Sequence, residues 1–416
     1  MSFYSSNVVA PKQAVILCGG LGTRLKPFTN HLPKPMVDCN GHPFLFYLME
    51  QLKEQGISRF LLLTGYLSYK IKDFFGDGSN WGWNIKYSEG PISWDTGRRL
   101  WEAKDYIDES FMILYSDNFI PFSLEKLVLF HKEHSASLTL SIARKKSGNI
   151  SINNDGFVEV YDNSRNKKDL GFVEIGYMLA NKNEIFESFE YKNCNFSDVI
   201  KNLVSYNKVR AFFQDGDYHS ISDPERWSIT AKYLLKKKII LIDRDGVINE
   251  KAPRGEYISK WEDFKYIREN VEGMEILAKS GFSFIIVTNQ AGLARKMIDE
   301  NDLNVIHKNL VADLKKRGIK ILKIYMCPHH WDENCKCRKP KPGMLFEAST
   351  DLFLRLDKTI FVGDDMRDCE AAYLAGCKSI FLGKESLLSG LKSAAKPMIC
   401  SETLKEVVPE ILEFFN

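Results

Sequence analysis

"AVILCGGLGTRLKPFTNHLPKPM" runs from Ala14 to Met36. Its opening residues are apolar and read as a buried strand. Glycines at 19, 20 and 22 then leave backbone N–H groups uncovered, so a phosphate can approach closely. Arg24 and Lys34 supply positive charge, and Pro33 and Pro35 predict an extended backbone around Lys34. The loop therefore reads as a polyphosphate site. Leu25 stands where a dinucleotide fingerprint needs a third glycine, and no Gly-Lys-Ser/Thr follows at P-loop spacing.

The same theme recurs along the chain. "RFLLLTG", "FMILYSD" and "SLTLSIA" read as further strands, and "FLFYLMEQLKEQG" as a helix closed by Gly56. This alternation predicts parallel strands with crossover helices. It restarts near residue 238 with "KIILIDRDG", "FSFIIVTNQ", "ILKIYMCP" and "KTIFVGDD". In each, polar residues stand at the C-terminal end of the strand, where open α/β sheets bind ligands. A chain of 416 residues suits two domains, and we place them at 1–236 and 237–416. "PERWSITAKYLLKKK" predicts a helix that runs directly into the second half. No flexible linker separates the halves, which predicts a fairly fixed packing.

Composition narrows the class. Apolar residues make up 44% and net charge is +3, with both signs interspersed, which argues against nucleic-acid and membrane-surface partners. No stretch is long and apolar enough to span a bilayer, and the start lacks the regions of a signal peptide. Nine cysteines, three of them between Cys327 and Cys337, suit a reduced cytoplasmic chain with one metal cluster. A homo-oligomer stays open.

With Thr23, Arg24, Thr29 and Pro33-Lys34-Pro35 in register, the opening stretch resembles the signature of the sugar-1-phosphate nucleotidyltransferases, over roughly residues 12–235. The resemblance implies a Rossmann-like fold and the reaction of an NTP with a sugar 1-phosphate. It implies phosphate contacts from Arg24 and Lys34, nucleotide contacts from Gly19, Gly20, Gly22 and Thr23, and Mg²⁺ on Asp117 of "LYSDN". In-line displacement at phosphorus asks mainly for alignment and charge neutralisation, which a metal, a lysine and an arginine supply. Thr96 and Gly97 of "WDTGRRL" match a segment near base and ribose, and Glu174 of "GFVEIGYML" is the candidate for sugar hydroxyls. One departure stands out: the family's second metal-ligating Asp aligns with Ser220 in "YHSISDPERW". Asp223 and Asp217 are the nearby alternatives. A site with one carboxylate, or a half that binds nucleotide-sugar without turnover, also stays open.

In the second half, "LIDRDGVINE" sets Asp243 and Asp245 two apart after a buried strand, offering a nucleophile, an acid/base and cation ligands. "VTNQAGLAR" adds Thr288, Asn289 and Arg295, "CRKPKPG" adds Arg338 and Lys339, and "VGDDMRD" adds Asp364 and Asp365. Together these resemble the haloacid dehalogenase phosphatases over roughly residues 237–416. The resemblance implies that Asp243 attacks phosphorus and Asp245 protonates the leaving alcohol, then activates water. It implies that Thr288 and Lys339 hold phosphoryl oxygens. It also implies Mg²⁺ on Asp243, the Asp245 carbonyl and Asp364, with Asp365 as a further candidate. An anionic nucleophile meeting an anionic phosphate needs such cations. About 45 residues separate Asp243 from Thr288, too few for a large cap, so the expected fold is capless.

"CPHHWDENCKC" supplies Cys327, His329, Cys335 and Cys337, four ligands suited to a closed, structural Zn²⁺ site, with His330 as the alternative histidine. Heptose bisphosphate and histidinol phosphatases carry this kind of loop, and "TNQAGLARK" leans to the heptose branch. The two resemblances imply consecutive steps. The 7-phosphate of D-glycero-D-manno-heptose 1,7-bisphosphate is removed, then a nucleotidyl group is transferred to heptose 1-phosphate. The family implies GTP, and "TGRRL" keeps CTP. A degenerate nucleotide-sugar-binding first half, or another sugar bisphosphate, are the alternatives.

Overall fold

The computed structural model describes residues 10–415 apart from 165 and 254. It forms two compact units, Met1–Leu235 and Lys236–Asn416.

In the first unit, β1 (Gln13–Cys18) is buried along its whole length. It lies between β2 (Arg59–Thr64) and β4 (Ser110–Tyr115), parallel to both, with β3 (Asn84–Glu89) parallel outside β2. Fully burying side chains such as Val15 and Ile16 stabilises the sheet by about 1.5–3 kcal/mol each. Register brings the strand ends together. Leu17 lies opposite Leu63 and Tyr115, so the residues after β1, β2 and β4 emerge at one sheet edge. α1 (Phe44–Glu54) buries Leu45, Leu48, Met49 and Leu52, and Gly56, at φ 94°, ends it.

The all-parallel expectation holds for β1–β4, and for the strand Val209–Phe213 against Leu138–Arg144, but not for the whole sheet. β6 (Phe172–Asn181) runs antiparallel to both β4 and β5 (Leu138–Arg144), so the nine-stranded sheet is mixed. A buried apolar run marks a central strand but carries no direction, which is why the sequence misleads here. Lys34 also departs from expectation. Pro33 is extended, but Lys34 begins a 3₁₀ turn, Lys34–Met36.

The second unit is a six-stranded parallel sheet: β7 (Ile239–Ile242), β8 (Ser283–Asn289), β9 (Ile321–Cys327), β10 (Ile360–Gly363), β11 (Lys378–Leu382) and β12 (Ile399–Ser401). The order is β9-β8-β7-β10-β11-β12. β7 is central, and Ile242 faces Ile286 and Val362. Its C-terminal end therefore meets those of β8 and β10. Between them run helices α4 (Arg268–Lys279) and α5 (Glu300–Lys316). No helix among the described residues is long and apolar enough to cross a membrane.

Candidate active sites

In the first unit, the ends of β1 and β4 open into a cleft of about 410 Å³. Gly19, Gly20, Gly22, Thr23, Arg24, Lys34, Thr96 and Asp117 all line it. Gly22 turns the loop at φ 61°, where a Cβ would also meet that of Lys34 at 2.9 Å. Thr29 Oγ1 donates to Gly22 O at 2.9 Å and fixes the turn. Lys34 Nζ then reaches Asp117 Oδ2 at 2.6 Å, across 83 residues of chain. A cation and an anion thus share the cleft.

Three expected residues fall outside the cleft lining. Gly97 lies in α2 (Thr96–Glu102), which packs on residues 194–196: Arg98 N donates to Cys194 O and Phe196 N donates to Thr96 Oγ1. Glu174 sits in β6, opposite Ile142, outside the cleft lining. Asp223 caps α3 (Pro224–Leu234), accepting from Arg226 N at 3.0 Å. That backbone bond holds its carboxyl below the usual range. Ser220 is paired with Asn118, beside Asp117, and its hydroxyl meets Ser222 Oγ at 3.2 Å and Arg226 Nη1 at 3.4 Å.

Sequence motifs gave no sign of the part played by Arg99. This side chain is 4% exposed and donates to Thr64 O, Gly90 O and Pro91 O. It lies under the glycine loop so tightly that a Cβ on Gly19 would come within 2.4 Å of its Nε. "GRRL" offers two arginines, and only packing separates the half-buried one from the fully buried one. Trp94, Asp95, Tyr115 and Asn195 also line the cleft.

In the second unit, β7, β8 and β10 deliver Asp243, Thr288 and Asp364 to one edge. The pocket there measures about 100 Å³ and is lined by Asp243, Asp245, Thr288, Asn289, Lys339 and Asp365, with Lys251, Arg367 and Asp368. Lys339 is its electrostatic centre. Its Nζ lies 2.9 Å from Asp243 Oδ1 and 2.7 Å from Asp368 Oδ1, and donates to Val287 O at 2.9 Å. Burial lifts the Asp243 carboxyl well above the usual range, against the pull of Lys339. Burial lifts Asp364 too, to about 6, against Lys251.

Asp245 sits differently. It accepts from Arg244 Nη2 at 2.9 Å, Asn249 Nδ2 at 2.9 Å and Gln290 Nε2 at 2.7 Å. Burial alone would raise its pKa, but Arg244 and these donors outweigh that and lower it. Gln290 Nε2 also donates to Thr288 Oγ1 at 2.8 Å. The Thr288 hydroxyl hydrogen is therefore free to donate into the pocket. Asn289 clamps Lys339 by two backbone bonds, at 3.1 and 3.2 Å.

Asp243, Asp364 and Asp368 bring carboxylate oxygens within 4.8 Å of one another. Asp364 Oδ1 is buried with no hydrogen-bond partner among the described residues, as an oxygen reserved for a hard cation would be. Asp365 does not join this group. It caps α6 (Met366–Ala375) and pairs with Arg367 at 2.8 Å. Asp368, three residues on, turns back beneath it. Helical phase, invisible in "GDDMRD", selects which carboxylate points inward.

Cys327, His329, Cys335 and Cys337 also converge within 4.8 Å. Sγ–Sγ separations of 3.5 and 3.7 Å, and Nδ1–Sγ separations of 3.1 and 3.6 Å, approximate the edges of a tetrahedron around one soft cation. His330 is outside it, capping the turn Trp331–Glu333. Arg338 falls outside the pocket lining and instead holds this loop, its Nη1 3.5 Å from His329 O. Arg295 stacks on Tyr257 and Trp331 at 5.7 and 5.6 Å.

Comparison with known proteins gives two families. Residues 13–169 match the model described as nucleotidyl transferase, and residues 238–373 that described as polynucleotide kinase 3 phosphatase. A D-glycero-alpha-D-manno-heptose-1,7-bisphosphate 7-phosphatase of Photorhabdus laumondii is 37% identical over 156 residues, 36% of this chain and 84% of that protein. A probable glucose-1-phosphate cytidylyltransferase of Bacillus subtilis is 29% identical over 243 residues, 47% of this chain and 95% of that protein. Among solved structures, HddC of Yersinia pseudotuberculosis is 26% identical, covering 54% of this chain and all of its own, with a TM-score of 0.46. The heptose bisphosphatase of B. bronchiseptica, solved with magnesium and phosphate, is 31% identical, covering 42% and 98%, with a TM-score of 0.39.

Proposed function

We propose a two-step enzyme from one premise: the chain belongs, over its C-terminal unit, to the D-glycero-D-manno-heptose-1,7-bisphosphate 7-phosphatases, with a nucleotidyl transferase domain ahead of it. The C-terminal unit removes the 7-phosphate of the bisphosphate. The N-terminal unit joins the resulting heptose 1-phosphate to a nucleotide, releasing pyrophosphate. The observation that carries the reading is Lys339, held between Asp243 and Asp368 beside Thr288.

An Asp243 oxygen attacks phosphorus as the bond to the sugar oxygen breaks, and that oxygen receives its proton through Asp245, which must first take one up because Arg244, Asn249 and Gln290 favour its ionised form. The aspartyl phosphate is then cleaved by water, which loses its proton to Asp245, and Asp243 is restored with release of inorganic phosphate. Lys339 and the Thr288 hydroxyl hold phosphoryl oxygens. Mg²⁺, when bound by Asp243, Asp364 and the Asp245 carbonyl with Asp368 nearby, supplies the charge that lets two anions meet. Cys327, His329, Cys335 and Cys337 would hold a structural Zn²⁺. In the first unit, a phosphate oxygen of heptose 1-phosphate attacks the α-phosphorus of the NTP and pyrophosphate leaves. Arg24, Lys34 and the glycine-loop amides neutralise the phosphates, and Asp117 would hold Mg²⁺. The nucleotide we favour is GTP, with CTP the competitor, and the compartment is the cytoplasm.

One observation favours a second reading, a phosphatase with a nucleotide-sugar-binding first unit. Ser220 replaces a carboxylate, and Asp223 is spent on a helix cap. The test incubates heptose 1-phosphate, Mg²⁺ and each NTP, and measures pyrophosphate. Turnover with one NTP supports the enzyme; silence with all four supports the second reading. Asp243→Asn is expected to stop phosphate release and spare pyrophosphate release, and Lys34→Ala the reverse.

A further inference from the structure

The phosphatase pocket contains a second lysine that the sequence motifs did not single out. Lys251 Nζ lies 2.6 Å from Asp364 Oδ2, although its side chain is 48% exposed. The contact is built into the fold. Gly246, at φ 92°, stands directly beneath it: a Cβ there would fall 2.0 Å from Asp364 Oδ2 and 2.5 Å from Lys251 Cε. Lys251 also lines the pocket, together with Thr288 and Arg367. Three carboxylates thus meet two ammonium groups. Lys339 is buried and bridges Asp243 and Asp368, whereas Lys251 holds Asp364 alone and from the solvent side.

The two lysines are not equivalent. Lys339 cannot leave without stranding two buried carboxylates. Lys251 can swing away into water at little cost, because a half-exposed pair is weak and its stem is flexible. A divalent ion shared by Asp243 and Asp364 would draw on the same carboxylate that Lys251 holds. We propose that Lys251 is an exchangeable counter-cation: it neutralises Asp364 in the metal-free site, yields when Mg²⁺ binds, and then turns its ammonium to the phosphoryl group in the pocket. The inference rests on the phosphatase reading, but its first test needs no substrate.

The sign of that test is unusual. Most substitutions near a metal site weaken it. Here Lys251→Met removes a competitor, so Mg²⁺ measured by calorimetry on the full chain without substrate should bind about threefold tighter. Inorganic phosphate, titrated in saturating Mg²⁺, should bind about tenfold more weakly, because it loses one charged hydrogen-bond donor. Lys265→Met, at an exposed lysine outside the pocket lining, controls for net charge and should change neither constant. Mg²⁺ affinity in Lys251→Met that is unchanged or weaker would overturn the exchange. So would tighter Mg²⁺ with unchanged phosphate affinity, which leaves Lys251 a bystander to the phosphoryl group. A catalytically silent wild type would instead sink the phosphatase reading, whatever the Mg²⁺ titration shows.

Discussion

Lys339→Met is the sharpest probe of the second unit. Methionine keeps the stem and removes the ammonium. Asp243 and Asp368, both buried, then lose the cation that sits 2.9 and 2.7 Å from them. Breaking a buried pair in this way costs about 3–5 kcal/mol. Part of that is recoverable by proton uptake, which fixes the sign with pH. Burial already raises the Asp243 pKa in the folded state, and without Lys339 it rises further. A carboxyl raised in the fold favours its protonated form there. Stability therefore increases as pH falls towards the unfolded value of 3.8, and the deficit is largest at alkaline pH. The deficit should be near the full value at pH 8, smaller at pH 5, and smaller again at pH 8 in Mg²⁺, whose charge replaces the lost one. Pulsed hydrogen exchange against urea reads this from peptides covering β7, with peptides from β1 as the control within the same chain. An unchanged β7 midpoint at pH 8 without Mg²⁺ would refute the reasoning, as would a larger deficit at pH 5 than at pH 8.

Gly19→Ala should drive a methyl into Arg99 and displace the glycine loop, lowering pyrophosphate release by about 100-fold while phosphate release stays unchanged; equal loss of both activities would point to unfolding. His219, stacked on Tyr233 at 3.6 Å, is pushed down by burial to about 4 from 6.5. It is neutral in the fold, so the unfolded state takes up the proton first and the first unit should lose about 3 kcal/mol between pH 6.5 and 4. His219→Phe should flatten that slope in urea titrations of the first unit. Asp365→Ala should cost about 1 kcal/mol as a lost cap and leave Mg²⁺ affinity within about threefold, whereas Asp364→Ala should abolish Mg²⁺ binding by calorimetry. Chelating the ion that Cys327, His329, Cys335 and Cys337 would hold should speed exchange across residues 327–337 and leave pyrophosphate release intact.

The chain states its local chemistry openly. Apolar runs ending in Gly19, Asp117, Asp243, Thr288 and Asp364 mark strand ends that line the two candidate clefts, because a buried strand must surrender its polar residues at its tip. The spacing of Cys327, His329, Cys335 and Cys337 predicts a loop able to hold a metal, because few other uses gather three thiols and an imidazole in eleven residues. What only the tertiary structure decided depends on packing between distant segments. The reversed direction of β6 and the burial of Arg99 beneath Gly19 are set by neighbours remote in the chain, and the inward turn of Asp368 in place of Asp365 by the phase of the helix they open. The pairing of Lys251 with Asp364 spans 113 positions of sequence, and no local pattern encodes it. Hydrophobic periodicity reports which residues are buried; it does not report what they are buried against.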